Sequence, residues 1–501
     1  MQGLRVEIGG PAAEDSLKSG NLIDPGTEMK TVLGLGRGMK VLHVPYCYYP
    51  DPVGGTEIYV ASLARVQQAR SYEVAIAAPA EQSGTYFHDG LPVYRFGIAG
   101  KIDLRQLYGE GDPTATANFQ EVLDRFRPDV LHLHAFTSAV SAPLAQSARS
   151  RRIPVVFTYH TPTVTCCRGT MLEWGNRVCD GEMRVNRCAR CMLHGKGVPA
   201  VAGWLLGTVP ETVGGLAGTA GLEGGMWTAF RGTELVGIRH AAARRFLSED
   251  SDHIFAVCEW VRAVLVANGV PPGKITLSRQ GSPYSLQVAS MPAAATTPCK
   301  ELSSSVRCAF LGRFDPAKGL QVLIDAMAVL PDIDLRLDVF AVAQGEEARR
   351  RQSVLLDQVR HDRRIQFMTP LDATEVVERL RCYDALLVPS QGLETGPLVV
   401  YEAFAAGIPV IGSALGGIAE LVGNGENGIL IDPPGSAAAW AEGIGRLTGE
   451  AGLLRKLKAA PKPFRTAEDA ADDASEVYAA LLHPGTALAA TGMGAGTGKR
   501  S

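Results

Sequence analysis

Two glutamates bracket the segment "ETGPLVVYE", Glu394 to Glu402, directly after the apolar run "DALLVPS". Neither has an opposite charge within the segment. Pro397 fits a first helical position, where its missing N–H costs nothing. That placement predicts Gly396 as the N-cap and Leu398 and Val399 as early helix residues with unpaired N–H groups. Glu394 then lies in the loop before the helix and Glu402 less than two turns inside it. The helix dipole accounts for an early carboxylate such as Glu402. It does not account for Glu394, which suits a ligand carrying both phosphate and neighbouring hydroxyls, as a nucleotide sugar does.

Other residues carry complementary chemistry. In "LGRFDPAKG", Arg313 is predicted to leave a strand and Lys318 to begin the following helix. Two cations at a strand's carboxyl end can grip a diphosphate, Arg as a fork and Lys as a point charge; the alternative is two solvated charges. In "DPVGGTE", Gly54 and Gly55 stand between a strand end and a helix start, where a ligand can approach the backbone; alone, the pair reads equally well as a tight turn. Gly416 and Gly417 precede a short helix bearing Glu420, a further loop-to-helix anion site.

These residues need a frame that brings strand ends together. "KVLHVPY", "SYEVAIAAP", "DVLHLHA" and "IPVVFTYH" are short apolar strands in the first half; "VRCAFLGRF", "DLRLDVFAV", "RIQFMT", "DALLVPS", "IPVIGS" and "GILI" follow in the second. Alternation with helices implies parallel sheets with right-handed crossovers. The expected fold class is α/β, two doubly wound Rossmann-like domains facing a cleft, with ligands at the carboxyl ends of the strands. The expected boundaries are a disordered extension over 1–38, a first domain over 39–285, a linker over 286–303, a second domain over 304–446, C-terminal helices over 447–482 and a disordered tail over 483–501.

Bulk properties agree. A chain of 501 residues exceeds one ordinary core. A net charge of −3 gives no reason to expect nucleic acid as a partner. No apolar run of about 18 residues occurs, and the first residues resemble no export signal, so a cytoplasmic chain is expected. "VPAVAGWLLGTVPETVGGLAG", Val198 to Gly218, reads as Gly-rich connecting or interface structure, with peripheral membrane contact as the other option.

The second half resembles the nucleotide-binding domain of GT-B glycosyltransferases, in particular the large retaining family four. The resemblance rests on the E-x7-E pair Glu394 and Glu402, with "GRFDPAKG", "VPS", "EAFAAGIPVIGSALGGIAELV" and "NGENGILIDPPG" around it. The first half is similar more loosely, through "PDPVGGTE", "DVLHLHA" and "TYH". The resemblance implies a retaining hexosyltransferase with a UDP- or GDP-sugar donor and a glycan, glycolipid or small-molecule acceptor. It implies that Arg313 and Lys318 bind the diphosphate, that Glu394 holds the sugar and that Glu402 holds the ribose. Amides near Leu398 would cradle phosphate, the Gly54–Gly55 loop would close over it, and His160 would stand near the reactive carbon. No cofactor is required for that chemistry. Gly396-Pro397 replaces the Phe-Gly step common in the family, and "LSRQGSP" stands where Asn-Gly is usual, which bears on hinge contacts. Two rival readings stay open: a nucleotide-sugar epimerase of the same architecture, and a non-catalytic GT-B scaffold. A dinucleotide oxidoreductase is disfavoured because no G-x-G-x-x-G follows the first strand.

Five of the ten cysteines fall between Cys166 and Cys191. Cys188-x2-Cys191 is a common zinc half-site, which Cys179 and Cys166 (or Cys167) could complete. Structural zinc, unligated thiols, and disulfides or an iron–sulfur cluster are the alternatives. The scattered cysteines are expected to be free thiols.

Overall fold

The computed structural model describes residues 38–51, 54–175, 177–282, 305–460, 462 and 465–484. The expected linker over 286–303, nearly all of the extension and most of the tail lie outside them.

The first sheet has eight strands: β1 (Lys40–Val44), β2 (Glu73–Ala80), β3 (Gly84–His88), β4 (Leu91–Gly97), β5 (Val130–Leu133), β6 (Val155–Tyr159), β9 (His253–Ala256) and β10 (Ile275–Leu277). Their order is β10-β9-β6-β5-β1-β2-β4-β3. All pairs are parallel except β3 with β4. β5 and β6 are buried along their whole length, as continuous apolar runs in a sheet covered on both faces must be.

The second sheet is wholly parallel: β11 (Val306–Arg313), β12 (Leu335–Val342), β13 (Ile365–Met368), β14 (Ala385–Val388), β15 (Val410–Ser413) and β16 (Gly428–Ile431). Its order is β13-β12-β11-β14-β15-β16. The chain leaves β11 toward β12 and later returns to β14 on its other side. The β11–β14 seam is therefore the topological switch point, where loops diverge and a crevice opens.

Between β6 and β9 lies an insertion. The hairpin β7 (Leu172–Glu173) and β8 (Arg177–Val178) is followed by the helix Val185–Gly195 and the short helices Ala200–Leu206, Glu211–Thr219 and Gly225–Phe230. The stretch read as connecting structure over Val198–Gly218 is thus largely helical. Pro199 and Pro210 stand at the N-caps of two of these helices, where a missing N–H is tolerated.

Each sheet supports its own core, one built on Leu42, Leu131 and Phe157, the other on Phe310, Leu337 and Trp440. The final helix, Ala467–Leu482, does not stay with the second domain. Its Ala470, Ala474 and Tyr478 are buried against Val41, Val60 and Val156 of the first.

Candidate active site

The switch point brings Lys318 and Glu394 together. Lys318 Nζ donates to Glu394 Oε1 at 2.7 Å, and Ser390 Oγ donates to the same oxygen at 3.0 Å. The opposite charge missing from "ETGPLVVYE" is thus supplied from 76 residues away, because β11 and β14 are neighbours. Lys318 does not begin a helix as expected. It closes the 3-10 turn Pro316–Lys318, which Asp315 caps through Ala317 N–H, and the α-helix starts at Leu320. Gly319 makes the break, with φ at +74°, and a Cβ there would meet the Pro389 carbonyl at 1.9 Å. This close approach fixes the Lys318 turn against the loop after β14. Arg313, the last residue of β11, is exposed and 3.7 Å from Asp315.

The helix behind Glu394 spans Leu398–Ala405, one residue later than expected. Pro397 is its N-cap, because ψ at 137° keeps it extended, and Gly396 before it turns at a φ of +102°. Leu398 and Val399 open the helix, and Gly407, with φ at +79°, ends it. Across the cleft, Gly54 caps the helix Gly55–Ala69, and a Cβ on Gly55 would lie 3.7 Å from the Leu398 side chain. Two helix N-termini, one from each domain, therefore face the same space, and both present unpaired N–H groups.

Glu402 lies on the buried side of its helix, and burial pushes its carboxyl up to about 7. His160 follows β6 and is also buried. Its Nε2 lies 3.1 Å from His134 Nδ1 and its Nδ1 3.0 Å from Gln280 Nε2. Burial pulls its pKa down to about 3, so the ring is neutral. The His160 carbonyl accepts from Thr395 Oγ1 of the second domain at 2.7 Å.

Trp260 and Arg279 of the joint have no counterpart among the motif matches, whereas Gly417 and Glu420 belong to the loop-to-helix segment expected to bind an anion. Trp260 Nε1 donates to the Glu394 carbonyl at 3.0 Å, and Gly417 N–H donates to it at 2.7 Å. Glu420 accepts from the Glu259 and Trp260 N–H groups at 2.8 and 3.0 Å and pairs with Arg279 at 2.7 Å. It is therefore itself the anion at a helix N-terminus of the first domain. Arg279 belongs to "LSRQGSP", so the segment that departs from the usual Asn-Gly contributes to the joint, while its Gln280 bonds His160 within the first domain.

Cys166, Cys167, Cys179, Cys188 and Cys191 line one cavity. Burial raises the Cys179 thiol and pushes Cys188 up to about 11. Among the described residues, the sulfurs do not gather within 4.8 Å of one another in threes. Thr170, beside the cavity, accepts from Leu393 N–H at 3.4 Å, which sets the insertion against the Glu394 loop. Of the scattered cysteines, Cys258 and Cys308 are buried and free, whereas Cys382 is disulfide-bonded.

The sequence matches the family described as glycosyl transferases group 1 over residues 304–462 and the glycosyl transferase 4-like domain over 54–281. It is 38% identical over 150 residues to the D-inositol 3-phosphate glycosyltransferase of Corynebacterium glutamicum, covering 28% of this chain and 34% of that relative. The match thus spans about a third of the curated relatives' length. In fold, the chain is similar to sucrose-phosphate synthase from Thermosynechococcus elongatus, with a TM-score of 0.58 at 19% identity over 91% of this chain and 100% of that one. It is also similar to Anabaena HepE in complex with UDP-glucose, with a TM-score of 0.53 at 16% identity over the same shares. With both halves matched in order on two parallel-sheet domains, the chain belongs to the GT-B glycosyltransferases of the group 1 kind.

Proposed function

We propose that the protein transfers a sugar, with retention, from a nucleotide-sugar donor to a hydroxyl of a glycan, glycolipid or small molecule. The observation that carries this reading is the Lys318–Glu394 contact of 2.7 Å beside the Leu398 helix start, opposite Gly54 and Gly55. Arg313 and Lys318 neutralise the donor diphosphate as it departs, so the leaving group needs no metal. The amides of Leu398 and Val399, after Gly396 and Pro397, hold its oxygens. Glu394 exchanges Lys318 for the sugar hydroxyls, and Glu402, buried in its helix, takes the ribose hydroxyls. His160 stands near the sugar's reactive carbon. The bond from the anomeric carbon to the diphosphate breaks and the bond to the acceptor oxygen forms on the same face. The acceptor's proton passes to the departing phosphate. Fixed cations and dipoles stabilise the separating charges without having to reorganise. The UDP-glucose complex of HepE and the transferase relatives support this reading.

Thermal-shift screening of UDP-, GDP- and ADP-sugars should find a stabilising donor. Glu394→Ala should lower transfer by roughly 100-fold or more while leaving the fold intact. Unchanged transfer, or conversion of the donor without an acceptor, would overturn the assignment.

Zinc held by Cys166, Cys179, Cys188 and Cys191 would draw the insertion's strands and helix together, and the shared cavity supports that reading. Elemental analysis should then give about one zinc per chain, lost on Cys188→Ser; a metal-free protein with an ordered insertion would refute it. Peripheral contact with a lipid surface is supported by the exposed Val201, Trp204, Leu205 and Leu216 of the same insertion.

A further inference from the structure

Four buried histidines lead inward from the cleft: His160 after β6, His134 after β5, His43 in β1 and His132 in β5. The ligand-capable nitrogens of His43, His132 and His134 lie within 4.8 Å of one another, the spacing of a metal triad. Yet both nitrogens of every ring already have a partner. His43 Nδ1 lies 2.9 Å from His134 Nε2, and His43 Nε2 lies 2.7 Å from Gln67 Oε1. His132 meets the Tyr478 hydroxyl at 2.6 Å and the Thr158 hydroxyl at 2.7 Å. His134 Nδ1 is taken by His160, whose other nitrogen faces Gln280 Nε2 at 3.0 Å. A metal ion would have to break bonds that already satisfy these groups.

The bonds also have an order. An amide nitrogen only donates, an amide oxygen only accepts, and a neutral imidazole does one of each. Gln280 Nε2 therefore donates to His160 Nδ1, His160 Nε2 to His134 Nδ1, His134 Nε2 to His43 Nδ1, and His43 Nε2 to Gln67 Oε1. All three rings carry their proton on Nε2. No ring can change tautomer alone, and a second proton on any of them would set two donors face to face. Inverting both amides reverses every bond and still leaves three neutral rings of one tautomer. Burial agrees, pulling His43 down to about 4, His160 to about 3 and His134 well below the usual imidazole range.

At the cleft end, the His160 carbonyl is bonded to Thr395, the neighbour of Glu394. We propose that His134, with His43 and Gln67 behind it and Gln280 in front, is a positioning residue that locks the His160 ring and so keeps its carbonyl set against Thr395. The catalytic consequence rests on the transferase reading above, whereas the order of the hydrogen bonds does not.

Nitrogen-15 NMR of histidine-labelled full-length protein should show His43, His134 and His160 sharing one neutral tautomer. Mixed tautomers, an imidazolium among the three, or a stoichiometric metal lost on His43→Ala would overturn the proposal. In transfer assays, His134→Phe should lower kcat roughly tenfold at an unchanged donor KM. His134→Gln, which can both accept and donate, should recover most of that loss. Equal losses in the two variants would refute the positioning role. If the unaltered protein transfers no sugar, the transferase reading fails, and the tautomer measurement still decides the chain.

Discussion

Glu402 is the residue whose environment most sharply predicts its behaviour. Its carboxyl is raised from 4.5 to about 7 by burial, so the folded state holds a proton that the unfolded chain releases between those values. Native protein then binds more protons than unfolded protein in that window, and stability falls as pH rises through it, levelling off above about 7. The difference amounts to about 3 kcal/mol at most, at 1.36 kcal/mol per unit. Glu402→Gln removes this dependence, so the variant should gain in melting temperature over the parent at pH 8 and gain little at pH 4. Melting curves across pH check this. A parent whose stability is flat between pH 4.5 and 7 would contradict the burial argument. Glu394 shows the opposite case: it is partly exposed and already paired with Lys318, so under the proposed transferase reading its part depends on Lys318 turning to the donor's phosphate.

At the scale of elements, the site depends on two turns after neighbouring strands. The turn after β11 is held by the Asp315 cap and by Gly319, whose hydrogen faces the Pro389 carbonyl. Gly319→Ala must carry a left-handed backbone, costing about 1–2 kcal/mol, and must also push its new methyl away from that oxygen. The expected result is a loss of at least that stability in denaturant unfolding, with donor affinity reduced because Lys318 is displaced from Glu394. An alanine variant with parental stability and affinity would show that the turn does not hold the lysine. The helix Leu398–Ala405 begins one residue later than the rule for proline suggests. Proline fixes φ but leaves ψ free, and here ψ stays extended at Pro397.

At the scale of the whole molecule, the two domains are tied by Trp260 to Glu394, Arg279 to Glu420 and Thr395 to His160, and by the last helix crossing back to the first sheet. The insertion after β6 extends from this frame and carries exposed apolar residues beside the basic helix Val185–Gly195. Arg190 of that helix lies 5.3 Å from the Trp204 ring. Among the described residues, no helix is long and apolar enough to cross a membrane. Sedimentation with anionic vesicles should bring the protein down, and replacing Trp204 and Leu205 together by Ser should weaken binding by roughly tenfold. Vesicle binding unaffected by those changes would place any contact elsewhere.

What the sequence determined by itself was the set of local elements and the chemistry offered at their ends. Apolar runs bounded by glycine and proline can be read as strands of a parallel sheet, and Gly54, Gly396, Pro397 and Gly407 mark where helices start and stop. Steric limits on those residues act within a few positions, so they are legible in one dimension. Strands β3, β4, β9 and β10 of the first sheet are not among the apolar runs legible in the sequence, because their few apolar residues are short or interleaved with polar ones and do not separate from loop. The tertiary structure decided the pairings: Lys318 with Glu394, Glu420 with a helix start in the other domain, Tyr478 with His132, and His160 with His134 and Gln280. Such contacts depend on which strands lie side by side and on how two domains meet. Strand order and domain docking come from the burial of whole faces, which no short segment encodes.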